Sequence, residues 1–92
     1  MIKTFAHKGL ESFFLWENKR GILPAHARRL GMLLDRLDNA RQPVDLRFAG
    51  SGLHALKGTL TGFWSVRVSG NWRVVFRFDD GDAYDVDYLD YH

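Results

Sequence analysis

Two histidines stand where an imidazole could move a proton. His54 lies in Leu53-His54-Ala55-Leu56-Lys57-Gly58, an otherwise apolar run beside a glycine-rich loop, and His92 ends the sequence directly after Asp90-Tyr91. An imidazole titrates near neutrality. A pair can therefore supply both the base that takes a proton from a ribose 2′-hydroxyl and the acid that protonates a departing 5′-oxygen. Lys57, Arg67 and Arg73 are candidates for holding the phosphate, the arginines because a planar fork meets two phosphate oxygens at once. Blander readings stand beside these. A terminal histidine can be frayed and idle, and the arginines can pair across strands with Asp85 and Asp87. Trp64 and Trp72 fit core packing better than base stacking, for which Phe63 is the better candidate. His7 and His26 have no supporting context and read as surface or helix-edge residues.

Other chemistries find no support. There is no phosphate-cradling GxxxxGK[ST] loop, no dinucleotide fingerprint, no HExxH and no GxSxG. Asp79-Asp80-Gly81-Asp82 has the composition of a calcium loop without its ligand spacing, and reads as a hairpin turn. No cofactor or metal is expected. With no cysteine there is neither a disulfide framework nor a thiolate nucleophile, which suits a reducing cytosol.

The scaffold for these side chains is described by the apolar spacing. Residues 2–5 could form a short first strand. Leu10, Phe13 and Phe14, at i, i+3 and i+4, predict a first helix over residues 9–19. Pro24 suits the first turn of a second helix, in which Ala27, Leu30, Leu34 and Leu37 recur at helical spacing to about residue 40. Gly31 inside it invites close helix packing. After a loop over residues 41–52 the period changes from 3.6 to 2. Short strands are expected over residues 53–56, 62–68, 72–78 and 83–89, joined by Ser69-Gly70-Asn71 and Asp79–Asp82. Trp64, Val66, Trp72, Val74, Phe76, Tyr84, Val86 and Tyr88 should share the face covered by the helices. Arg67, Arg73 and Arg77 should lie on the other face with Asp85 and Asp87. Two helices followed by turn-linked strands make an α+β fold, in a single domain over residues 1–92.

Charge is distributed unevenly. All thirteen Lys and Arg fall within residues 1–78 against five Asp and Glu, a surplus of eight, whereas residues 79–92 hold six Asp and no Lys or Arg. A basic surplus of this size is compatible with a phosphate-bearing partner. The chain has neither a signal-peptide pattern nor a stretch approaching the roughly 20 apolar residues that span a bilayer, so no membrane partner and a cytoplasmic location are expected. Nothing in the alternating strand half reads as a helix-turn-helix, so direct DNA binding is not expected.

The strand half, from Leu53-His54-Ala55-Leu56-Lys57-Gly58 through Gly62-Phe63-Trp64-Ser65-Val66-Arg67-Val68, Asn71-Trp72-Arg73-Val74-Val75-Phe76 and Gly81-Asp82-Ala83-Tyr84 to Asp90-Tyr91-His92, resembles the HigB family of plasmid-maintenance killer proteins. That family is a branch of the RelE-like toxins. The likeness spans essentially the whole chain. It implies a RelE-like fold, with two N-terminal helices on one face of an antiparallel sheet. It also implies a toxin that acts as an endoribonuclease on messenger RNA in the ribosomal A site. The family's catalytic group maps onto His54, Asp90, Tyr91 and His92, and its RNA- and phosphate-contacting positions onto Lys57, Arg67 and Arg73. The implied partners are the ribosome with its message and a HigA-like helix-turn-helix antitoxin, through which alone the toxin would meet DNA.

Overall fold

The computed structural model describes residues 1–91; His92 lies outside the described residues. Helix α1 spans Lys8–Trp16 and buries Leu10 and Phe13, one turn apart. Its start is set by His7, whose Nδ1 accepts the Leu10 N–H at 2.9 Å, satisfying a donor that the first turn leaves open. It stops at Glu17, which turns left-handed (φ 55°) and returns its N–H to the Phe13 carbonyl. The helix is therefore shorter than the spacing implied. After a 3-10 turn over Pro24–His26, helix α2 runs Ala27–Asn39. Leu30, Leu33, Leu34 and Leu37 are almost wholly buried. At about 1.5–3 kcal/mol for each buried leucine, this stripe outweighs the weak helix propensity around Gly31.

The close approach expected at Gly31 occurs elsewhere. A Cβ on Gly31 would meet only Phe13 Cζ at 3.9 Å, whereas a Cβ on Gly21 would lie 2.4 Å from the Gly9 Cα. Two glycine backbones thus let the segment between the helices lie directly on the first turn of α1.

Strands β1 (His54–Ala55), β2 (Trp64–Ser69), β3 (Trp72–Asp79) and β4 (Asp82–Asp90) form one antiparallel sheet in the order β1-β2-β3-β4. The N-terminal segment adds no full strand. It runs parallel to β4 through isolated bridges at Ile2–Ala83 and Phe5–Val86. Val66, Val68, Val74, Phe76, Ala83, Val86 and Tyr88 face the helices and close one core with them.

One predicted inward residue is displaced. Tyr84 pairs with Arg77, and the Arg77 guanidinium lies 5.0 Å from its ring centre, so Tyr84 belongs to the outer face. The cause is a bulge: Asp85 adopts φ 54°, its N–H donates to Thr4 Oγ1 at 2.8 Å, and the pairing slips between Arg77–Tyr84 and Val75–Asp87. The extra residue reverses the alternation, and Ala83 takes the inward place. Arg77 meets Asp85 at 2.7 Å, as cross-strand pairing anticipates.

Candidate active site

Residues directly opposite one another in an antiparallel ladder point to the same face. Across the outer face this gives a row His54–Ser65–Val75–Asp87 and a second row Arg67–Arg73–Leu89. At about 4.8 Å per strand, β1 and β4 lie roughly 14 Å apart, with β2 and β3 between.

His54 is exposed, and its Nδ1 lies 3.1 Å from the Gly52 carbonyl. A carbonyl can only accept, so the bond puts a proton on Nδ1, and in the neutral imidazole the lone pair is then on Nε2, the form a general base needs. The loop before it is held from several sides. Ser51 is buried, its Oγ accepts the Phe48 and Leu53 N–H groups, and its carbonyl accepts the Arg67 N–H at 2.8 Å. Arg29 of α2 reaches the Gly50 carbonyl with Nη2 (2.9 Å) and the Arg67 carbonyl with Nε (3.1 Å). The composition offered no sign of this brace, since Arg28 and Arg29 read alike on a polar helix face.

Arg67 and Arg73 face each other across β2 and β3. Like charges directly opposite are unfavourable on a sheet. Among the described residues no carboxylate lies within ion-pair distance of either. Arg73 leans on the hairpin turn, donating from Nη1 to the Gly70 carbonyl at 2.6 Å and to the Trp72 carbonyl at 3.1 Å. Two cations facing each other across a strand pair are an arrangement that can hold a phosphate. Lys57 is exposed just beyond β1, at the start of a 3-10 turn over Gly58–Leu60. Asp90 pairs with Trp72 on the helix side, where it lines a cavity of about 390 Å³ with His7, Arg20, Trp72 and Tyr88. Tyr91 follows, with its N–H on the Asn71 carbonyl at 2.8 Å, next to the turn that holds Arg73. The remaining candidate, His92, is outside the described residues. Among the described residues no three His, Asp or Glu side chains are grouped so as to hold a metal ion. No helix among them is long and apolar enough to cross a membrane.

His26 corrects the sequence reading in part. It stands at a helix edge, as the N-cap of α2, but it is buried rather than at the surface, and its Nδ1 lies 2.6 Å from the Tyr88 hydroxyl. The Leu23 N–H donates to the same oxygen at 3.3 Å, and Trp72 and His7 pack edge-on or tilted around the pair. Burial pushes the Tyr88 hydroxyl above its ordinary pKa of 10.0, partly offset by the Leu23 N–H.

A family model described as "RelE-like toxin of type II toxin-antitoxin system HigB" matches residues 3–92. The chain belongs to the HigB-like toxin family. Endoribonuclease HigB of Proteus vulgaris is 40% identical over 92 residues, which cover the whole of both chains. Toxin HigB-1 of Vibrio cholerae serotype O1 (strain ATCC 39315 / El Tor Inaba N16961) is 34% identical over 94 residues, covering all of this chain and 98% of that one. Membership makes this chain the toxin of a type II toxin–antitoxin system.

Proposed function

We propose that this toxin is an endoribonuclease that cuts messenger RNA in the ribosomal A site by metal-independent acid–base transesterification. The observation that carries the reading is His54, exposed with Nδ1 held by Gly52, on the same sheet face as the facing pair Arg67 and Arg73. One of His54 and His92 takes the 2′-hydroxyl proton. The 2′-oxygen attacks the adjacent phosphorus in line, and the bond to the 5′-oxygen breaks as the other imidazole protonates it. The products are a 2′,3′-cyclic phosphate and a free 5′-hydroxyl. Arg73, Arg67 and Lys57 offset the charge that builds on the phosphorane, a contribution usually worth about 3–4 kcal/mol for one well-placed donor. Asp90 orients one imidazole, and Tyr91 hydrogen-bonds to the phosphate or positions the base. The 40% identical relative is named an endoribonuclease, which supports the same reading. A HigA-like antitoxin is the partner that restrains the toxin, and the ribosome brings the message to it in the cytoplasm.

The test is cleavage of a defined message on assembled ribosomes by wild type, His54→Ala and Arg73→Ala. Wild type should cut within the A-site codon, and each variant should lose roughly 100-fold or more in rate. Equal growth arrest by wild type and His54→Ala, with no cut ends in either, would make the chain a ribosome-binding module.

A further inference from the structure

We propose, on the endonuclease reading above, that Tyr88 and His26 are positioning residues for cleavage: their hydrogen bond clamps the end of β4, from which Asp90, Tyr91 and His92 continue. The need for a clamp follows from the outer edge of β4, where backbone support stops at Val86 while β3 and Asn71 before it hold the inner edge through Asp90 and Tyr91. The outer edge of β4 is held by the N-terminal segment through Lys3 N–H to Ala83 O and Ala6 N–H to Val86 O. That segment then turns into α1 at Lys8. Beyond Val86 a side chain takes over. The Tyr88 ring packs 4.8 Å from Trp72, 5.4 Å from His7 and 5.9 Å from His26. Its hydroxyl accepts the Leu23 N–H and shares a second hydrogen bond with His26 Nδ1, whose direction is set by the imidazole tautomer.

The anchor itself is stiff. Leu23 is extended before Pro24, Pro24 opens the 3-10 turn, and the His26 N–H closes it on the Leu23 carbonyl at 2.9 Å. The Gly9–Gly21 contact fixes the approach to that turn. A phenol and an imidazole are buried where phenylalanine and leucine would pack without polar atoms to satisfy. What the polar pair adds is direction, set two residues before Asp90.

Four proteins decide it: wild type, Tyr88→Phe, His26→Leu and His26→Asn, the last offering an amide oxygen near the place of Nδ1. Thermal melts first establish that each folds. In ribosome-dependent cleavage, Tyr88→Phe and His26→Leu should lower kcat about tenfold or more with KM within about twofold, because the tail loses register with the bound message. His26→Asn should recover to within about threefold of wild type. In the free toxin, exchange of the Tyr91 N–H should accelerate about tenfold or more in the same two variants, while the Leu33 and Leu34 amides of α2 stay protected. Cleavage by Tyr88→Phe and His26→Leu at the wild-type rate overturns the proposal. So does unchanged Tyr91 exchange, or exchange rising equally in α2, which would mean general loosening. A wild-type chain that leaves the message intact overturns the endonuclease reading instead, and Tyr91 exchange still decides whether the clamp exists.

Discussion

Replacing Gly21 by alanine tests how the two helices and the tail are held in register. The new Cβ would lie 2.4 Å from the Gly9 Cα and 3.3 Å from its carbonyl carbon. Carbon atoms rest at about 3.5–4.0 Å, so the two segments must part by more than about 1 Å. Overpacking costs about 1–3 kcal/mol when side chains can yield. Here both partners are backbone, which puts the cost near the upper end, at about 3 kcal/mol. For a domain of this size 1 kcal/mol moves the melting temperature by roughly 4–8 °C, so a fall of about 12–24 °C is expected. The shift should also draw Leu23 away from Tyr88 and slow cleavage beyond what the melt alone accounts for. Gly31→Ala is the control. Its Cβ meets only Phe13 Cζ at 3.9 Å, and helix propensity should raise stability by up to about 1 kcal/mol. A Gly21→Ala protein that melts within about 3 °C of wild type would refute the contact.

Ser65 is wholly buried on the outer face, and among the described residues its hydroxyl has no hydrogen-bond partner. Ser65→Ala should therefore leave the melting temperature unchanged or raise it, by the equivalent of up to about 1 kcal/mol in a thermal melt. The raised pKa of Tyr88 means the folded chain keeps its phenolic proton longer than the unfolded chain. The associated stability is fully present below pH 10.0 and is lost as pH rises through the higher folded value. Denaturant titrations across that window should show the decline, and Tyr88→Phe should flatten it. Deleting His92 alone should leave the melt and antitoxin binding nearly intact while reducing ribosome-dependent cleavage roughly 100-fold or more, the scale of a lost general acid or base.

Most of the fold was legible because its signals are periodic. The leucines of α2 and the alternating valines of β2 and β3 sort themselves by spacing, and the fold class follows. Tyr84 was misplaced because a bulge costs one residue of count and leaves no periodic trace; its cause lies 81 residues away, at Thr4. The burial of His26 was missed for a similar reason. A lone histidine after a proline carries no sign of a tyrosine 62 residues downstream, and only folding brings the two within 2.6 Å. Of the candidate site, the alternation already put Arg67 and Arg73 on one face. The tautomer of His54 could not be read, because it depends on where the Gly52 carbonyl points. The brace from Arg29 was equally hidden, since both its acceptors are backbone oxygens and leave no mark on side-chain composition.

The central claim is that the message supplies its own nucleophile, through a 2′-oxygen activated by an imidazole. It is tested most directly with two messages that differ at one atom, ribose or 2′-deoxyribose at the cleaved A-site nucleotide, on otherwise identical ribosome complexes. The account predicts that the ribose message is cut to a 2′,3′-cyclic phosphate and that the 2′-deoxy message is not cut at that position. Cutting of the 2′-deoxy message at the same position would contradict it.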